Sequence, residues 1–148
     1  MSIEMRTGGC LCGDLRYEMS GAFGPIWNCH CAFCRRVHGA AFTTVGLMAR
    51  SAFEWTEASN EPKTFTTPMG SIRHFCGRCA TPICNFPSEP SLLSLVVSSL
   101  EHDLERSPWA HVNVESKAPW FQIGDGLPQF SEYPDLEELQ ALIKQNSA

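Results

Sequence analysis

Seven of the chain's eight cysteines fall into three tight groups: Cys10-x-Cys12, Cys29-x-Cys31-x-x-Cys34 and Cys76-x-x-Cys79, with Cys84 standing alone. A chain of 148 residues buries roughly two-thirds of its unfolded surface on folding, so it needs no disulfides to hold a core. The cysteines therefore call for another explanation. In Cys76-Gly77-Arg78-Cys79 the two intervening residues let both sulfurs face one ion while backbone amides point at them, which is a metal-knuckle spacing. Two such pairs brought together from distant parts of a chain close a tetrahedral site, and Cys10 and Cys12 are the candidates for the second pair. Metal binding of this kind contributes folding free energy directly.

The middle group offers three thiols within six residues. Three protein ligands and a free fourth position mark a catalytic metal site rather than a closed structural one. Closure by Cys84, His30, His38 or His74 would instead make the site structural. Soft thiolates select zinc over magnesium or calcium, with iron as the alternative.

The first ten residues contain no apolar run long enough for a signal peptide. The longest apolar-rich stretch, Leu92 to Leu100, is broken by Ser94, Ser98 and Ser99 and is far short of a membrane span. The expectation is a cytoplasmic protein in a reducing compartment, where thiols serve metal, catalysis or redox sensing rather than a disulfide scaffold. Net charge is −5; residues 1–98 carry eight bases and seven acids, and residues 99–148 three bases and nine acids. That balance excludes the basic footprint of a nucleic-acid binder. Arg35, Arg36, Arg73 and Arg78 nevertheless sit beside cysteines, where they could rim a site for a small anion.

Alternation of Leu11, Gly13, Leu15, Tyr17 and Met19 against Asp14, Arg16 and Glu18 predicts a half-buried strand over Leu11–Met19. Further strands are expected at Phe42–Met48, Phe53–Trp55, Leu92–Ser99 and His111–Val114, with a hairpin formed by Thr64–Thr67 and Ser71–Phe75. A single helix is expected at the C-terminal end, with Pro134 at its first position, acids in its first turn and a stripe of Leu136, Leu139, Leu142 and Ile143. Trp120–Tyr133 reads as an irregular crossing segment. Residues 1–148 thus read as one mainly β domain with a short C-terminal helix.

Gly8-Gly9-Cys10-Leu11-Cys12-Gly13, then Cys29-His30-Cys31-Ala32-Phe33-Cys34-Arg35-Arg36, then Arg73-His74-Phe75-Cys76-Gly77-Arg78-Cys79 resembles the glutathione-dependent formaldehyde-activating enzyme family, which includes centromere protein V. The likeness extends through His111–Trp120 and Asp125–Pro128, covering about residues 8 to 130. It implies several coiled β-sheets around two zinc ions, a fold shared with methionine-R-sulfoxide reductases. It further implies that Cys10, Cys12, Cys76 and Cys79 hold a structural zinc, and that Cys29, Cys31 and Cys34 hold a second, reactive zinc. One departure is Ala80, where the family commonly has Gly after the knuckle.

The function that follows is a zinc-dependent carbon–sulfur lyase handling a glutathione adduct of an aldehyde, such as S-hydroxymethylglutathione. Arg35 and Arg36 are the natural clamp for glutathione's carboxylates, because guanidinium pairs bidentately with carboxylate. Trp120 and Phe121 either wall the pocket or belong to the core. The alternatives are a non-catalytic glutathione carrier and a zinc-stabilised interaction module. No nucleic-acid or membrane partner is expected, and the oligomeric state is left open.

Overall fold

The computed structural model describes residues 4 to 147. In chain order the strands and helices are β1 (Met5–Gly9), β2 (Arg16–Ser20), β3 (Ile26–Cys29), α1 (Ala32–His38), β4 (Thr43–Ala49), β5 (Phe53–Trp55), β6 (Lys63–Thr66), β7 (Ile72–Phe75), β8 (Pro82–Phe86), β9 (Leu92–Val96), β10 (Ala110–Val112) and α2 (Leu136–Gln145). The mainly β expectation with a C-terminal helix is met. The chain divides into two compact units: one comprises the chain up to Phe23 with Gly46–Glu105, the other Gly24–Val45 with the chain from Arg106 onward.

In the first unit β1, β2 and β5 form an antiparallel three-stranded sheet. The predicted alternation sets its phase correctly: Leu15, Tyr17 and Met19 are buried, and Arg16 and Glu18 face outward. Its start is wrong, however. Residues 11–14 turn rather than extend, with Gly13 at φ +89°, so pairing begins at Arg16. The turn is what places Cys12 on a loop. Tyr17 stacks on Phe53 at 4.9 Å, and its hydroxyl pairs with Ser99 Oγ at 2.8 Å. Gly8 lies against that ring because a Cβ there would come within 2.3 Å of the Tyr17 oxygen.

The same unit contains the predicted hairpin of β6 and β7, followed by antiparallel β8 and β9. β8 escaped the sequence reading because Pro82 and Asn85 dilute its apolar pattern. Its Ile83 and Cys84 are nonetheless buried, among Leu93, Leu95 and Met48. Cys84 is therefore a core thiol, and burial pushes its pKa up to about 12, opposed by Arg50.

In the second unit β10 runs parallel to β3, pairing Val112 with Cys29 and His111 with Asn28. All four residues of β3 are buried, which erases the alternation by which a half-buried strand is recognised. Helix α1 also went unexpected. It has seven residues and no amphipathic stripe, Phe33 and Val37 being exposed, and its N-cap is a cysteine rather than Ser or Asp. It ends at Gly39 with φ +59°, a left-handed cap that glycine adopts without a Cβ penalty. Helix α2 begins two residues later than expected. Leu136, not Pro134, is its first residue, and Asp135 is the N-cap, forming a capping box with Glu138.

Gly8→Ala is expected to lower the melting temperature by several degrees, since overpacking of this kind costs about 1–3 kcal/mol and each kcal/mol is worth about 2–4 °C at this size. An unchanged melting temperature by circular dichroism would contradict the tight Gly8–Tyr17 packing.

Candidate metal centres

The first thiol cluster is assembled by two turns. Backbone amides define each: Cys10 N donates to Leu15 O at 3.1 Å and Gly13 N to Cys10 O at 3.2 Å, while Cys76 N donates to Thr81 O at 3.0 Å and Ala80 N to Cys76 O at 2.9 Å. Leu11 N donates to Thr81 Oγ1 at 3.1 Å, which ties the two turns together. The result brings the sulfurs of Cys10, Cys12, Cys76 and Cys79 within 4.8 Å of one another.

Cys10 and Cys12 sulfurs are 3.6 Å apart and those of Cys12 and Cys76 3.7 Å apart. A tetrahedral ion with metal–sulfur bonds of about 2.3 Å requires edges of about 3.8 Å, so the donor set fits such an ion. The surrounding donors suit thiolates as well. Leu15 N points at Cys10 Sγ at 3.2 Å, and Arg78 N and Cys79 N point at Cys76 Sγ at 3.4 Å each. Hydrogen bonding from Thr81 draws the pKa of Cys79 down to about 5.

Ala80 closes the knuckle at φ +66°. A residue with a Cβ costs about 1–2 kcal/mol in this left-handed region, so a glycine would suit the position better.

The second cluster consists of Cys29 at the end of β3, Cys31 at the N-cap of α1 and Cys34 in its first turn; their three sulfurs lie within 4.8 Å of one another. Local geometry accounts for this. The strand ends at Cys29, Cys31 is extended at φ −64° and ψ 154°, and its sulfur accepts the Cys34 amide at 3.3 Å in place of an oxygen cap. Cys29 and Cys34 are buried with Trp27 and Val112, against Leu139 of α2. The neighbouring thiol of Cys31 raises the pKa of Cys29, and those of Cys29 and Cys31 raise that of Cys34.

No fourth Cys, His, Asp or Glu donor joins these three among the described residues. Cys84 and His74 belong to the first unit, where Cys84 is a core thiol and His74 packs on Phe86 at 4.1 Å. His30 is fully buried, with its ring hydrogen-bonded to His111, and burial lowers its pKa to about 4.

Arg35 is half-buried and donates from Nε to the His30 carbonyl at 3.4 Å, whereas Arg36 is exposed. Arg78 pairs with Asp14 at 3.3 Å. Trp120 is 70% exposed, so it is no core residue; Phe121 is half-buried and packs on Phe42 and His30. Sequence reasoning attached no role to Asn113, whose amide nitrogen donates to Cys29 Sγ at 3.3 Å, or to His111 and Asp125. The left-handed φ of +57° at Asn113 aims it there, and no periodicity in the sequence announces it.

Together these features define a β protein with two separate cysteine clusters that could hold metal ions, one of four thiols and one of three. The family model for glutathione-dependent formaldehyde-activating enzymes matches residues 5–116, and the chain belongs to that family. A Halomonas elongata protein, provisionally named glutathione-dependent formaldehyde-activating enzyme, is 27% identical, with 86% of this chain and 88% of that one covered. A crystal structure of a Rhodobacter sphaeroides protein superposes with a TM-score of 0.57 at 20% identity over 68% of this chain and 92% of that one, a likeness of fold.

Ala80→Gly should raise the melting temperature slightly. The relieved backbone strain exceeds the roughly 0.4–1 kcal/mol that glycine's freedom costs through the unfolded chain; a fall would show that the turn is unstrained. Native protein treated with a thiol-alkylating reagent at pH 8 should leave Cys84 unmodified by peptide mapping until denaturant is added, because its thiol is buried and protonated.

Proposed function

We propose that this chain is a zinc-dependent carbon–sulfur lyase that acts on a glutathione adduct of an aldehyde, with S-hydroxymethylglutathione as the model substrate. The observation that carries the reading is the three-sulfur cluster of Cys29, Cys31 and Cys34, which no fourth protein donor joins among the described residues, in a chain that also has a four-sulfur cluster. Thiolate donors suit zinc. An ion held by three of them keeps a position for an exogenous thiol, and its chemistry is to lower that thiol's pKa so that sulfur is available near neutral pH.

The chain's own residues supply the rest. Cys29, Cys31 and Cys34 hold the site, and the Asn113 amide donates to the Cys29 sulfur, tempering its charge. Burial of Cys29 and Cys34 keeps bulk water from two of the three sulfurs. Arg36, exposed on α1 two residues after Cys34, is free of packing constraints that would stop it from reaching a glutathione carboxylate. Arg35 holds the His30 carbonyl through Nε and presents the same planar fork. In the lyase direction the adduct's hydroxyl loses its proton as the carbon–sulfur bond breaks. Formaldehyde leaves, and the proton returns to the glutathione sulfur or to water.

The four-sulfur cluster joins segments 64 residues apart and has a structural role. No helix among the described residues is long and apolar enough to cross a membrane.

Zinc analysis should give two ions per chain, and the purified protein should accelerate S-hydroxymethylglutathione formation above the spontaneous rate. Cys31→Ser should abolish that acceleration with little change in melting temperature. Cys76→Ser should lower the melting temperature strongly, because it removes a ligand whose binding energy is folding energy. Glutathione binding without acceleration would leave a carrier, and a single zinc per chain would defeat the lyase reading.

A further inference from the structure

His30 stands between two of the three clustered thiols in sequence, is fully buried, and is held at every polar handle but one. Its backbone N–H donates to Val112 O at 3.0 Å, and its carbonyl accepts from Arg35 Nε. Its ring Nε2 lies 2.8 Å from His111 Nδ1, and His111 Nε2 lies 2.8 Å from Asp125 Oδ2. Asp125 is itself fixed, since its other oxygen accepts Leu127 N at 3.0 Å. The backbone repeats the connection, with His111 N donating to Pro128 O at 2.8 Å and Phe130 N to His111 O at 2.9 Å. Of the polar atoms of His30, only Nδ1 has no hydrogen-bond partner.

The order of donors follows from one end. A carboxylate only accepts, so the His111 nitrogen facing Asp125 carries a proton. The other nitrogen of a neutral His111 is then a lone pair, and the proton shared with His30 belongs to His30 Nε2. His30 Nδ1 is left as a buried lone pair. A buried polar atom without a partner is rare enough to require a reason. Here the reason is placement: the ring is moored toward His111 at the expense of its other nitrogen.

We propose that Asp125 and His111 are positioning residues for the three-thiol centre, acting through His30 to hold the segment Cys29–Cys31 in ligand geometry. The segment 111–113 thereby reaches residues 29 and 30 three times, through the His111 ring, the Val112 carbonyl and the Asn113 amide on Cys29 Sγ. Asp125 provides the anchor at the surface end, its side chain being 46% exposed. Partners standing behind metal ligands commonly govern affinity by about 10- to 100-fold. The proposal rests on the three thiols being a metal site, but not on any substrate.

The test uses zinc-loaded, full-length protein. Long-range proton–nitrogen NMR of the imidazoles should show His30 and His111 both protonated at Nε2. A chelator that competes for zinc should strip one of the two ions from Asp125→Ala and from His111→Phe about tenfold more easily than from wild type. The other ion, at Cys10, Cys12, Cys76 and Cys79, should be held unchanged, which reports that the variants are folded. Cobalt substitution should show the altered ligand field at the three-sulfur centre alone.

Asp125→Asn should rescue. Its side-chain oxygen can keep the Leu127 bond while its amide donates to His111, so the chain of hydrogen bonds survives with its direction reversed, His30 becomes protonated at Nδ1, and both zincs are retained. Equal zinc retention by wild type, Asp125→Ala and His111→Phe would overturn the proposal, as would wild-type His30 protonated at Nδ1. A single zinc per wild-type chain would instead defeat the underlying metal-site reading, and is distinguished by being visible before any variant is made.

Discussion

The convergence of Cys10 and Cys12 with Cys76 and Cys79 is the constraint on which the rest of the first unit depends. The two pairs lie at the ends of short strands that would not hold a register alone: β1 and β2 have five residues each and β7 four. Four sulfurs within 4.8 Å of one another, a set that could hold a metal ion, turn a loop closure of more than sixty residues into a local contact. Thiols this close cannot all ionise without a cation between them, so an ion held there would relieve that conflict. The knuckle's geometry is strict enough that Ala80 occupies a left-handed conformation to complete it.

The second cluster is built differently, and the difference bears on chemistry. Its three sulfurs come from six consecutive residues at a strand-to-helix junction, so no distant pair is needed to form it. The distant contribution comes instead from β10 and the segment after it, which supply hydrogen bonds but no sulfur. A four-thiol set is complete in itself, whereas a three-thiol set leaves room for a ligand that is not protein. On the proposed function, that asymmetry divides the roles, the four-thiol set serving folding and the three-thiol set the handling of a thiol.

Much was legible in the sequence where spacing and structure share one period. The Cys76-x-x-Cys79 spacing needs only a turn, and the alternation through Leu15, Tyr17 and Met19 needs only a sheet with one buried face. The hairpin of β6 and β7 followed from the turn residues between its strands. Where burial is two-sided the signal vanished, as in β3, all of whose residues are buried. Helix α1 was hidden because its cap is a sulfur and its apolar side chains, Phe33 and Val37, face outward.

The sequence by itself determined the grouping of the thiols, the mainly β class and the C-terminal helix, because each depends on residues close together in the chain. Only the tertiary structure decided that Arg78 pairs with Asp14, and that His111 and Asp125 stand behind His30. The reason is physical: hydrogen bonds between residues eighty positions apart leave no periodicity in a sequence. They exist only once strands from distant segments have paired and brought their side chains within 3 Å of one another.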